Sequence, residues 1–84
     1  MQYKVMCEMT FPSLETTMDV TLPINKSIYY ICEMLNKLIK EEITSEYKVK
    51  ENSILINKRT GQIYDKNALL KDTDIKNGTK LAYY

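Results

Sequence analysis

The sequence predicts an α+β fold: a mixed sheet of four to five strands with one helix packed across it. Three observations carry this. Residues 2–9 and 15–22 alternate apolar and polar side chains with the period of two that a half-buried strand requires. From Ile28 the apolar spacing changes to the 3.6 period of a helix, and after residue 53 short β-rich runs return between turn formers. Eighty-four residues cannot divide their core, so 1–84 reads as a single domain.

The elements follow in order. In QYKVMCEM, Tyr3, Val5, Cys7 and Met9 fall on one face and Gln2, Lys4, Met6 and Glu8 on the other, leaving Met6 as the apolar residue on the wet face. Pro12 and Ser13 break the pattern. ETTMDVTL then sets Met18, Val20 and Leu22 against Thr17, Asp19 and Thr21, which makes an antiparallel hairpin with the first strand. Pro23 closes the hairpin and Ser27 is placed as the N-cap of a helix running to about Glu41. Ile28, Ile31, Cys32, Leu35, Leu38 and Ile39 form its apolar stripe, Tyr30, Lys37 and Glu41 lie opposite, and Met34 sits on the flank.

Residues 42–53 are polar and read as a connecting loop, with Tyr47 and Val49 unassigned. Ile54–Asn57 is a short strand, Gly61 is free to take positive φ in the turn after it, and QIYD is a further short strand. Asn77-Gly78 is a strong turn signal, and the last strand, TKLAYY, carries Leu81 and Tyr83 on one face and Lys80, Ala82 and Tyr84 on the other. Strand, strand, helix, strand, short strand, strand is the β-grasp order, in which a single helix covers one face of the sheet.

Charge and composition narrow the chemistry. Twelve basic residues against eleven acidic ones give a net charge of +1, without the strongly basic stripe of a nucleic-acid binder. No charged-then-apolar leader opens the sequence, and its longest apolar run, Ile28–Cys32, is far short of the ~20 residues of a spanning helix, so a soluble, cytoplasmic protein without direct membrane insertion is expected. Histidine is absent, which removes the usual general base and the commonest zinc ligand. Cys7 and Cys32 both fall on predicted core faces and read as buried structural thiols; two cysteines do not complete a zinc site. Asp72 and Asp74 read as turn residues accepting backbone amides. With two separate glycines there is no phosphate loop, so neither catalytic residues nor a cofactor or metal are expected, and the protein is read as no enzyme.

Over nearly the whole chain this order resembles ubiquitin-like proteins. Leu22-Pro23 before the Ser27 cap, Ile28, Ile31 and Leu35 look like the family's helix start. Leu70, Asp72, Ile75, Gly78 and Leu81 match its Leu-x-Asp-x-x-Ile-x-x-Gly-x-x-Leu ending, and Gly61 stands fourteen residues before Ile75 as the family's turn glycine does. The length and the DIKNGTKL block are most similar to the YukD/EsaB family, small cytosolic accessory proteins of type VII secretion systems in Gram-positive bacteria. The resemblance implies a non-conjugated protein-binding module whose partner is a type VII secretion membrane component or its cytosolic domain. Conjugated modifiers and sulfur carriers end in a flexible Gly-Gly, and Tyr83-Tyr84 stands in that place here, so a modifier or sulfur carrier with an atypical or processed C-terminus is the alternative. A weaker reading is an RNA-associated domain using Lys48, Lys50, Lys58 and Arg59.

Ubiquitin binds partners through an apolar patch on the open sheet face. With Ile54 and Ile56 turned inward, Leu55 is expected outward beside Ala82, Tyr84 and Met6, with Lys4, Lys80 and Lys58 at the rim. A second candidate is the outer helix face at Tyr30 and Met34.

Overall fold

A computed structural model describes residues 3–84; Gln2, assigned to the wet face above, lies outside them. Its four strands are β1 (Lys4–Phe11), β2 (Thr16–Pro23), β3 (Leu55–Asn57) and β4 (Lys80–Tyr83), with one helix, α1 (Ile28–Leu38). The strand order is β2-β1-β4-β3. β1 pairs antiparallel with β2 and parallel with β4, and β3 runs antiparallel to β4, so the sheet is mixed.

Alternation along β1 buries Val5, Cys7, Met9 and Phe11 beneath the helix stripe of Ile28, Ile31, Cys32, Leu35 and Ile39. Val20, Leu22, Leu55, Tyr64, Leu70, Ile75, Leu81 and Tyr83 complete the core. The expected faces of β1, β2 and β4 hold, apart from Tyr3, which precedes β1 and is exposed.

Ser27 caps the helix as expected: its backbone is extended and its Oγ accepts from Tyr30 N–H at 3.1 Å. The amides of Ile28 and Tyr29, which have no partner within the first turn, donate to the carbonyls of Ala68 and Lys66. The cap and this strap fix where the helix begins. Ser27→Ala is expected to cost about 1 kcal/mol and lower the melting temperature by roughly 4–8 °C in a thermal scan.

Past Leu38 the helix widens into a π turn, Ile39–Ile43, closed by Thr44 N–H on the Ile39 carbonyl at 2.8 Å. The connecting segment is then irregular. Tyr47 packs against the core and donates its hydroxyl to Asn36 Oδ1 at 3.5 Å, whereas Val49 is exposed.

QIYD does not form a strand of its own. Ile63 makes an isolated bridge with Ile56, and the chain turns at once through Asp65, whose carboxylate accepts from Asn67 N–H at 2.9 Å, so pairing has no room to extend. The closing turn has Gly78 at φ +85° and is pinned to β1 by Gly78 N–H on the Met6 carbonyl and Met6 N–H on Asn77 Oδ1. In the preceding turn Thr73, rather than Asp72 or Asp74, does the capping: its Oγ1 accepts from Ile75 N–H and donates to the Leu70 carbonyl. Asp74 instead accepts the Tyr64 hydroxyl at 2.7 Å.

Candidate functional site

The face of β3 is opposite to the expected one. Leu55 is 1 % exposed and pairs with the inward Tyr83, so it belongs to the core and not to an outer patch. Ile56 pairs with Ala82 on the outer face, and Ile54, exchanging both backbone hydrogen bonds with Tyr84, lies on that face too. Asn57 sets this register. It is buried opposite Leu81 with both polar atoms of its side chain hydrogen-bonded: Nδ2 donates to the Tyr64 hydroxyl at 3.2 Å, and Oδ1 accepts from the amides of Arg59 and Thr60. An Asn that can satisfy itself in this way is placed inside at little cost. Ile54 and Ile56 must then face out.

The outer face therefore carries Ile54, Ile56, Ala82 and Tyr84, extended by Ile63 through its bridge to Ile56. Ile63 is 61 % exposed and Tyr84 46 % exposed. Ala82 points outward but is 1 % exposed, since it stands between Thr10 and Ile56 and the Lys58 side chain reaches across β4 to put Nζ 3.2 Å from Thr10 Oγ1. It is the floor of the patch and not a contact point. Ile63 escaped the sequence reading because one isoleucine between Gln62 and a buried Tyr64 carries no face information until its bridge is known.

Met6 is exposed but does not join this group. It lies on β1 opposite Thr21 of β2, four residues or about 13 Å from the Thr10–Ala82–Ile56 row, and the charged Glu8–Lys80 pair of positions lies between. Lys4 is farther still, opposite Pro23, while Lys80 does border the patch. On the helix, Tyr30 is exposed beside Tyr29, with Lys26 Nζ 5.1 Å from its ring centroid. Met34 is partly buried and packs against the core, so the outer helix face offers tyrosines rather than a Tyr–Met pair.

In the core, burial favours the neutral forms of Cys7, Cys32, Tyr64 and Tyr83. Burial raises the Cys7 thiol from 9.0 to about 11, and Cys32 is also raised, by burial first, with Lys66 opposing and Glu33 adding to it. Both cysteines are free and buried. Their labelling by an aromatic disulfide reagent at mildly alkaline pH is expected to run no faster than unfolding. Burial also pushes the Tyr64 and Tyr83 hydroxyls from 10.0 to about 12, and for Tyr64 donation to the Asp74 carboxylate adds to the effect. Because the folded-state values lie above the unfolded ones, the stabilisation is complete below pH 10 and is lost as the pH rises from about 10 to about 12. Urea midpoints are expected to hold through neutral pH and to fall from about pH 9, where Cys7 begins to contribute, to about pH 12.

No family model matches the chain, and no curated protein matches it in sequence. Solved structures do. A chain from a structure described as molecular mimicry of SUMO in DNA repair superposes with a TM-score of 0.81 at 10 % identity, over 100 % of this chain and 94 % of that one. The ubiquitin-like domain of an Arabidopsis thaliana protein gives 0.72 at 13 % identity, covering 99 % of this chain and 78 % of that chain. A chain of the ESX-5 inner membrane complex gives 0.71 at 16 % identity over 99 % of this chain, which spans only 21 % of that one. Among the described residues no helix is long and apolar enough to cross a membrane. With its mixed four-stranded sheet and single covering helix, the chain has the ubiquitin-like, β-grasp fold.

Proposed function

We propose that this protein is a non-enzymatic, non-conjugated ubiquitin-like binding module that serves a type VII secretion system as an accessory or regulatory component, docking on a membrane component or its cytosolic domain. The observation that carries a binding role is the outer group of Ile54, Ile56, Ile63 and Tyr84 over Ala82. Tyr3, Met6, Tyr29, Tyr30 and Val49 are exposed elsewhere on the surface, but at this corner of the sheet Ile54, Ile56, Ile63 and Tyr84 adjoin one another through paired backbone and form a contiguous apolar group. The thiols, by contrast, are withdrawn into the core and held protonated, which favours binding over nucleophilic chemistry.

The secretion assignment is supported by the Leu70–Leu81 block and by the recurrence of the fold in a chain of the ESX-5 inner membrane complex. Affinity capture from native cells of a bacterium that encodes the protein, followed by a secretion assay on a deletion strain, tests it. Recovery of a secretion component together with a secretion defect is expected; unaffected secretion and no such component would remove the assignment.

The non-conjugated part of the reading has its own support. Tyr83 is buried and the Tyr84 backbone exchanges two hydrogen bonds with Ile54, so these two residues are held against the sheet. Intact-mass analysis from cells is expected to find Tyr84 retained and unmodified. A thiocarboxylate or a ladder of conjugates would favour the modifier class instead.

A further inference from the structure

Four cations line one groove beside the apolar patch. The groove, open and about 790 Å³ in volume, lies between the turn after β3 and the turn before β4, and Lys58, Arg59, Lys76 and Lys80 face it together with a single acid, Asp74. That acid has a partner already, the Tyr64 hydroxyl at 2.7 Å. Among the described residues none of the four cations stands within 4.0 Å of a carboxylate, although Glu8 occupies the position paired with Lys80. Like charges held together without counter-charges work against the folded state, so the cluster does not serve stability.

The groove is also preformed. Asn57 Oδ1 holds the amides of Arg59 and Thr60, Thr79 Oγ1 holds that of Lys76, and the Asn77-Gly78 turn is fastened to Met6 from both sides. The backbone that carries the cations is thus fixed before any ligand arrives, which lowers the ordering cost of binding. Lys58 and Lys80 border the apolar patch as well as the groove, which makes the two one continuous surface.

We propose that the groove receives an acidic segment of a protein partner, its carboxylates meeting Lys58, Arg59, Lys76 and Lys80 while an adjoining apolar side chain covers Ile56 and Ile63. The inference rests on the binding-module reading and specifies the partner's chemistry. Charge complementarity selects an anion, and the walls select a peptide over a nucleic acid. Single-stranded nucleic acids are held by stacking bases on exposed aromatic rings, and among the described residues none lines this groove: Tyr64 beside it is 4 % exposed, and Tyr84, on the patch, stands four residues or about 13 Å along the strand from Lys80. Nor do Lys48 and Lys50, the other cations of the RNA reading, line it.

The test is a titration of the isotopically labelled full chain, followed by amide chemical shifts, with a synthetic oligoglutamate peptide ending in leucine. The glutamine version of the peptide, oligothymidylate and inorganic phosphate serve as comparisons. With the acidic peptide, shifts are expected to cluster at Lys58–Thr60 and Lys76–Lys80. Affinity is expected to fall several-fold between about 0.05 and 0.3 M salt, and at least about fivefold in Lys76→Glu/Lys80→Glu, whose exposed sites leave folding intact. Shifts that do not localise, or tighter binding of oligothymidylate or phosphate than of the peptide, would overturn the proposal.

Cross-linking in native cells separates this inference from the reading beneath it. If Ile63→Asp loses a partner that the double-glutamate variant retains, the binding module stands and the acidic-segment proposal falls. If both variants lose it, the two hold together. If neither does, the patch reading itself is overturned.

Discussion

Leu55→Asp is expected to leave the chain largely unfolded, whereas Ile63→Asp is expected to melt within a few degrees of the parent. The two residues lie on opposite faces of the same sheet corner: Leu55 is sealed in the core against Tyr83, and Ile63 is 61 % exposed. A carboxylate at Leu55 would be buried among the apolar side chains of the core, and burying an unpaired charge belongs to the few changes that cost more than about 4–5 kcal/mol. A domain of this length has roughly 4–13 kcal/mol in total, so the loss approaches or exceeds what is available at the low end. Circular dichroism with thermal melting reads both variants directly. Equal melting temperatures would mean that Leu55 faces solvent after all and that the outer patch is misplaced.

Tyr83→Ala is expected to be the second severe change. The ring is 2 % exposed, stacks edge-on against Phe11 with centroids 6.3 Å apart, and donates its hydroxyl to Asn36 Oδ1 at 2.7 Å. Removing it leaves a cavity worth about 3–5 kcal/mol and takes from the buried Asn36 its short hydrogen bond, for about 1–3 kcal/mol more. Tyr83→Phe separates the parts. It keeps the packing, leaves Asn36 with only the 3.5 Å contact from Tyr47, and is expected to show the hydrogen-bond loss alone as a lower urea midpoint at unchanged slope. A phenylalanine variant as unstable as the alanine one would show that Asn36, not the ring, dominates this part of the core.

Most of the scaffold is legible before any coordinates, because period-two and period-3.6 patterns are unambiguous in β1, β2, β4 and α1. Ser27 as N-cap, Gly78 at positive φ and Tyr83 inside all follow from local chemistry. The surface that matters is the part that was misread, and for one reason. Ile54, Leu55 and Ile56 are apolar on both faces, so only Asn57 carries facing information, and the ordinary rule sends an asparagine outward. Its inward placement depends on Tyr64 and on the turn amides of Arg59 and Thr60, contacts that spacing along the chain does not reveal. Asn36 was hidden likewise, since it is a polar residue within a helix whose partner, Tyr83, is 47 residues away. The basic groove combines two turns from distant segments, and for this reason the sequence joined Lys58 and Arg59 to Lys48 and Lys50 instead of to Lys76 and Lys80.

The parallel pairing of β1 with β4 has a consequence for synthesis. Its two strands are drawn from opposite ends of the chain: Met6 and Asn77, which pin the junction together, are 71 positions apart. The β1–β2 hairpin and α1 leave the ribosome early, yet one lengthwise half of β1 has no neighbour until β4 emerges. Non-local strand pairing of this kind is slow and leaves an unpaired strand edge exposed in the meantime. A nascent chain halted before Lys80 would present Val5, Cys7, Met9 and Phe11 without the strand that completes their cover, and it is in that interval, rather than in the finished protein, that a chaperone would find something to hold.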